Sequence, residues 1–287
     1  MPEKRGLILE GGAMRGLFTA GVLDVLMENG VTFDGVIGVS AGAAFGSNFK
    51  SHQNGRTLRY NLAFCRDKRY CSFRSLRKTG DLFGAEFCYR TLPLELDVFD
   101  FEAYRADPSV FYAVATDVDT GEAVYLDLTG DDLNILDSIR ASASMPLVSR
   151  PVSVDGRRLL DGGIADSIPL AYFESLGYTK KLLVLTKPLG YRKKKTPRAA
   201  TLALRKYPRI AEAMAKRHIG YNETLASIEE RERRGELFVI RPDAALPIGH
   251  TTHSRRKLQR VYDLGREVAT RRLPELLRFL NDEGCHV

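Results

Sequence analysis

At 287 residues, with 44% hydrophobic and 28% charged side chains, the chain has the composition of a globular protein able to bury a sizeable core. No stretch approaches the ~18 consecutive apolar residues of a membrane-spanning helix. The apolar run Leu7-Ile8-Leu9 stops at Glu10, which leaves no room for a signal-peptide core.

Residues 6–10 (GLILE) predict a short buried strand ended by Gly11-Gly12. Residues 17–28 carry apolar side chains at helical spacing, and Asn29-Gly30 closes that helix because both residues tolerate a left-handed cap. Residues 36–39 (VIGV) predict a second buried strand, and 41–49 a second helix. Strand, helix, strand, helix in that order argues for a mostly parallel α/β sheet. Further on, 110–117 and 122–127 read as a hairpin around Asp119-Thr120-Gly121, and 135–143 as a helix stopped before Pro146. Residues 159–163 read as a strand end and turn, and 182–186 (LLVLT) as another buried strand.

Composition shifts near residue 190, where 191–197 is basic and poor in apolar residues. This divides the chain into 5–190 and a C-terminal extension, 191–287, packed on the core. Within the extension Asn222 is expected to cap a helix running to Arg234, a strand follows at 237–240, and Ser254 caps an amphipathic helix. The inner face of that last helix includes Leu258, Val261, Tyr262 and Val268.

Three local patterns carry chemistry. Gly38-Val39-Ser40-Ala41-Gly42 is a G-x-S-x-G placed where a buried strand turns into a helix. So tight a turn strains the serine backbone, needs Gly38 and Gly42 because side chains there would collide, and exposes the hydroxyl at a helix N-terminus. Gly11-Gly12-Ala13-Met14-Arg15-Gly16, between the first strand and its helix, offers backbone N–H groups to a phosphate or an oxyanion. A dinucleotide-binding loop has the same ingredients, but its second fingerprint glycine is Ala13 here. Asp34, at a ribose acid's distance, precedes the second strand instead of ending it. Leu160-Asp161-Gly162-Gly163 puts a carboxylate at a strand end, the edge where open α/β sheets bind ligands.

Taken together, in this order, the three patterns resemble the patatin-like phospholipases. That family has a G-G-G-x-[KR]-G oxyanion loop, a G-x-S-x-G nucleophile elbow and a D-G-[GA] turn carrying the base. Ala141-Ser142-Ala143-Ser144-Met145-Pro146 is similar to the family's helix-to-proline stretch. The resemblance covers about 5–190 and implies a three-layer α/β/α fold plus an α-rich C-terminal extension. It implies a serine lipid acyl hydrolase with a Ser40–Asp161 dyad, acting on phospholipid or another acyl ester without metal or organic cofactor. Gly11, Gly12, Ala13, Arg15 and Gly16 form the oxyanion loop; Gly38, Gly42, Gly162 and Gly163 shape the elbow and the base turn. Ala13 departs from the family glycine. Alanine keeps the N–H but resists positive φ, so it is strained if the position requires φ > 0. Asp161 is expected to be ionised at neutral pH like an ordinary aspartate.

Two other readings stay open. An α/β-hydrolase triad would recruit His218, His250, His253 or His286, although Ser40 follows only the second strand, early for that plan. A catalytically silent lipid-binding scaffold would have no use for the three patterns together. The net charge of +7 favours anionic partners. Basic segments at 192–195, 205–206, 216–217, 255–257 and 271–272 are solvated faces or attract an anionic membrane, at ~1 kcal/mol per suitably placed residue. No helix-turn-helix, zinc or RNA-binding motif supports a nucleic-acid partner. The four cysteines, Cys65, Cys71, Cys88 and Cys285, lack a CxxC pair; they read as free thiols of a cytoplasmic protein, peripheral on the inner membrane face, with no metal site.

Overall fold

The computed structural model describes residues 3–282; Cys285 and His286 lie outside them. The strands are β1 (Arg5–Leu9), β2 (Gly35–Val39), β3 (Val110–Asp117), β4 (Ala123–Asp127), β5 (Val152–Val154), β6 (Arg157–Asp161), β7 (Lys180–Val184) and β8 (Phe238–Ile240). The helices are α1 (Gly16–Glu28), α2 (Ala41–Lys50), α3 (Arg56–Phe64), α4 (Phe73–Thr79), α5 (Phe101–Ala106), α6 (Asp132–Ser142), α7 (Leu170–Ser175), α8 (Arg198–Ala203), α9 (Pro208–Arg233) and α10 (Arg255–Asn281).

All eight strands join one sheet, paired in the order β5-β6-β3-β2-β1-β7-β8 with β4 also on β3. The pairs among β3, β2, β1, β7 and β8 are parallel, and β4, β5 and β6 run antiparallel to their neighbours. Both faces are covered, so alternate residues of one strand enter different cores. Leu7 and Leu9 of β1 and Leu182 and Val184 of β7 pack with α1, α2 and α10. Ile8, Leu183 and Leu185 pack on the other face with α7 and α9. This is the expected α/β/α sandwich.

Beyond residue 190 the chain adds β8 to the sheet edge and lays α10 along α1. Ser254 caps α10 as anticipated, its hydroxyl accepting the Lys257 N–H. Asn222 does not cap a helix: α9 begins at Pro208, where a missing N–H and fixed φ suit a first turn. The Asn222 amide instead accepts the Lys193 N–H (2.7 Å) and donates to the Lys193 carbonyl (3.1 Å), tethering the basic loop. Among the described residues no helix is long and apolar enough to cross a membrane. Cys65, Cys71 and Cys88 are free.

Candidate active site

Ser40 occupies the single residue between β2 and α2, with φ 55° and ψ −119°, a conformation costly for any residue but glycine. Close packing enforces it. A Cβ on Gly42 would lie 2.4 Å from the Leu9 carbonyl oxygen, and one on Gly38 2.5 Å from the Ala43 nitrogen. The Ser40 N–H is donated to Ser142 Oγ at the end of α6 (2.9 Å), and the Ser40 carbonyl accepts the N–H groups of Ala43 and Ala44.

Asp161 meets Ser40 through the register of β3. One edge of β3 is lined by β4 across Tyr112–Thr116, so β2 and β6 must share the other edge. There β2 pairs as far as Val39↔Val114, and β6 begins at the next position, Asp161↔Ala115. Two strand ends thus converge on one point of the sheet. The Asp161 N–H is donated to the Ser144 carbonyl (2.8 Å), its carbonyl accepts the Thr116 hydroxyl (2.8 Å), and its Oδ1 accepts the Gly163 N–H (2.8 Å). Ser142 and Ser144 of one short segment therefore hold the backbone of both site residues. Burial pushes the Asp161 carboxyl above its usual range, opposed by the Ser40 hydroxyl, the Arg217 guanidinium, the Gly163 N–H and Lys193. The expectation of an ordinary aspartate needs that correction.

The glycine loop follows β1 and lies against the elbow: a Cβ on Gly11 would be 3.1 Å from Ser40 Cβ. Among the described residues the N–H groups of Gly11, Gly12 and Ala13 have no protein partner, which leaves them free for an anion. Ala13 has φ 48°, so this position does require the left-handed region that alanine resists. Ala13→Gly should leave ester turnover equal or raise it, with no fall in the thermal midpoint. A large drop in kcat would show that the alanine methyl group has its own task.

Ala13, Met14 and Ser40 open on a largely apolar cavity of about 280 Å³, walled by residues such as Phe45, Tyr60, Tyr89 and Met145. Arg56, the one cationic side chain of that lining besides titratable His250, is neutralised by Asp97 (3.2 Å). His250 also lines the cavity, its Nε2 3.4 Å from Arg15; burial and nearby cations hold its pKa down. Among the described residues no histidine hydrogen-bonds Ser40: His52 pairs with Asp107 (2.9 Å), His253 contacts the Cys65 carbonyl, and His218 Nδ1 is buried without a partner. Asp34 accepts the Arg5 N–H at the far end of β1 and β2, away from the glycine loop, which removes the dinucleotide reading. Sequence reasoning named Glu10 only at the head of the glycine loop and Arg217 only within a basic segment, and it missed Lys187; Glu10 is a buried carboxylate held by the Thr186 N–H (2.6 Å) and the Tyr221 hydroxyl. No local pattern marks them.

A family model described as patatin-like phospholipase matches residues 7–174, and one for a domain of unknown function matches 207–281. An uncharacterized protein, YjjU of Escherichia coli, is 31% identical over 195 residues, 65% of this chain and 53% of that protein. The lysophospholipase NTE1 of Lodderomyces elongisporus is 25% identical over 98% of this chain and 20% of its own length. The chain thus spans about half or less of these relatives. The crystal structure of VipD from Legionella pneumophila superposes with a TM-score of 0.47 and 14% identity, covering 96% of this chain and 67% of that one.

Proposed function

The chain belongs to the patatin-like phospholipase family, and from that premise we propose that it is a serine lipid acyl hydrolase with Ser40 as nucleophile and Asp161 as base. The observation that carries the reading is a strained, buried serine that lines an apolar cavity and stands beside the buried carboxylate of Asp161. In the proposed reaction Asp161 takes the Ser40 hydroxyl proton as Oγ attacks the ester carbonyl. The N–H groups of Gly12 and Ala13 receive the oxyanion, each such donor typically worth ~3–4 kcal/mol. Asp161 returns the proton to the departing alcohol, leaving acyl-Ser40. A water then gives its proton to Asp161 and attacks the acyl carbon; the fatty acid leaves and the serine regains its proton. The apolar cavity suits the acyl chain, and no metal or organic cofactor enters the scheme. The activities in the names of the lysophospholipase NTE1 and of a probable lipid hydrolase of an invertebrate iridescent virus agree with this reading.

A fluorophosphonate probe tests it directly. The folded wild-type protein should label at Ser40, and Ser40→Ala should not label. A folded protein that stays unlabelled would be a silent lipid-binding scaffold. Fatty-acid release across lipid classes then defines the substrate.

A further inference from the structure

The three patterns that carry the chemistry lie within residues 11–163, yet two of them lean on the C-terminal extension. The base turn is one. Leu160 and Ile164, on either side of Asp161-Gly162-Gly163, pack with Leu204, Ile210 and Met214 of the extension. Arg217, on α9, reaches the turn itself. Its Nε and Nη2 donate to the Ser167 hydroxyl (3.4 and 3.3 Å), which donates to the Gly163 carbonyl (2.7 Å). The Gly163 N–H is in turn donated to Asp161 Oδ1 (2.8 Å). A Cβ on Gly163 would lie 2.8 Å from Arg217 Nη2 and 3.0 Å from Asp161 Oδ1, so guanidinium and carboxylate flank one small space. Among the described residues Ser167 is the hydrogen-bond partner of Arg217, and no ion pair of its own draws its charge away from the base.

The glycine loop leans on the extension as well. Between β8 and α10, the His250 carbonyl accepts the Met14 N–H (3.4 Å), and His250 Nε2 lies 3.4 Å from Arg15 Nη2. A guanidinium can only donate, so Nε2 must accept, which requires a neutral imidazole with its proton on Nδ1. Burial and the neighbouring cations favour that neutral form. Tyr221, one turn beyond Arg217 on α9, donates its hydroxyl to Glu10, the residue that leads into the same loop.

Five groups face the Asp161 carboxyl: the Ser40 hydroxyl, Arg217, the Gly163 N–H, Lys193 and, from the cavity wall, the Tyr89 hydroxyl. Two of them are cations, and Arg217 has the stronger pull on the carboxyl. Lys193, its Nζ 4.1 Å from the ring centre of Tyr221, has a pKa brought down to about 8 by burial and by Arg217, so it gives up part of its charge just above neutral pH. A guanidinium stays charged throughout. Arg217 is thus the permanent cation beside the base.

Resting on the hydrolase reading above, we infer that the C-terminal extension finishes the catalytic site: Arg217 is the positioning residue of the base, holding its turn and favouring its charged form, and His250 is the positioning residue of the oxyanion loop.

The test is a pH profile set beside conservative rescue. Removing a cation makes a carboxylate harder to form, so in Arg217→Met the acid limb of kcat/KM for a p-nitrophenyl acyl ester should move up by about one pH unit, the low end for an opposite charge at close range. Well below both midpoints that is an approximately tenfold loss, and well above them the loss is smaller. Arg217→Lys should return the limb towards wild type. A brace without electrostatic effect would lower kcat alike at every pH, so a limb that stays in place overturns the role of Arg217. His250→Leu, which keeps an apolar wall but no acceptor for Arg15, should lower kcat about tenfold with KM little changed, the scale of a hydrogen bond to a charged group. His250→Gln, which offers an acceptor, should regain most of it; a glutamine variant as slow as the leucine one overturns the role of His250. Carbon-13 NMR of labelled aspartate carboxyls reads the base without turnover. The Asp161 resonance, identified by its loss in Asp161→Asn, should titrate about one unit higher in Arg217→Met. If the wild type cleaves no ester the hydrolase reading fails, and that titration still decides whether Arg217 governs the carboxyl.

Discussion

Asp161→Asn should lower kcat/KM for an acyl ester by about 10⁴-fold or more, and Ser40→Ala comparably, while both proteins stay folded. Asparagine keeps the acceptor for the Gly163 N–H but cannot take a proton. His52→Ala, His218→Ala, His253→Ala and His286→Ala should each leave appreciable turnover. The informative histidine is His250, because it shares the cavity with Ser40. A folded His250→Ala protein as inactive as Ser40→Ala would make that imidazole the base and replace the dyad with a triad. Two accompanying readouts have a definite sign. Only the ionised carboxyl is a base and burial raises its pKa, so activity should fall on acidification with a midpoint above the ordinary aspartate value of 3.8. A folded pKa raised above the unfolded one means that this group's contribution to stability is complete below 3.8 and is lost as pH rises through the folded value. The neutral Asp161→Asn protein should therefore melt no lower than wild type at pH 7.

The second large effect is on stability and lies far from the serine. Helices α1 and α10 touch backbone to backbone. A Cβ on Gly265 would stand 2.0 Å from the Phe18 carbonyl oxygen, and one on Gly21 would stand 2.2 Å from that of Tyr262. No rotamer change relieves a clash with main chain. Gly265→Val must push α10 outward, uncovering Leu258, Val261 and Val268, and should cost ~3 kcal/mol or more, the upper range of overpacking penalties. Gly220, in α9, has no atom within 4 Å of its added Cβ. Gly220→Ala should instead stabilise by ~0.5–1 kcal/mol, the helix preference of alanine. Urea midpoints of the two variants check both signs; a Gly265→Val midpoint equal to wild type would mean that α10 is not packed as described.

The parts legible from sequence were those whose cause is local. The elbow around Ser40, the loop at Gly11-Gly12 and the Asp161 turn each announce themselves within a few residues, and buried strands such as β1 and β7 show as apolar runs. What brings Ser40 to Asp161 is not local: it is the sharing of one β3 edge by β2 and β6, a matter of register. The largest share of the apolar cavity's walls, though less than half, comes from residues 56–99, where irregular short helices and a π-helical turn at Phe87–Leu96 break any simple periodicity. Charge misled in another way. A basic run reads as a solvated face, and nothing in 192–195 distinguishes the inward Lys193 from its exposed neighbours Lys194 and Lys195. Asn222 misled because a good capping residue was read as one, whereas its amide serves the Lys193 backbone from mid-helix.

The central place of β1 has a consequence for how the chain is made. One neighbour, β2, follows it closely, but the other, β7, is distant: the Lys4 N–H reaches the Thr179 hydroxyl across 175 residues of chain. Closing so long a loop is slow, and until β7 has left the ribosome β1 presents an unpaired hydrophobic edge. Until then the N-terminal part, with its serine elbow already encoded, is open to edge-to-edge pairing with another nascent chain.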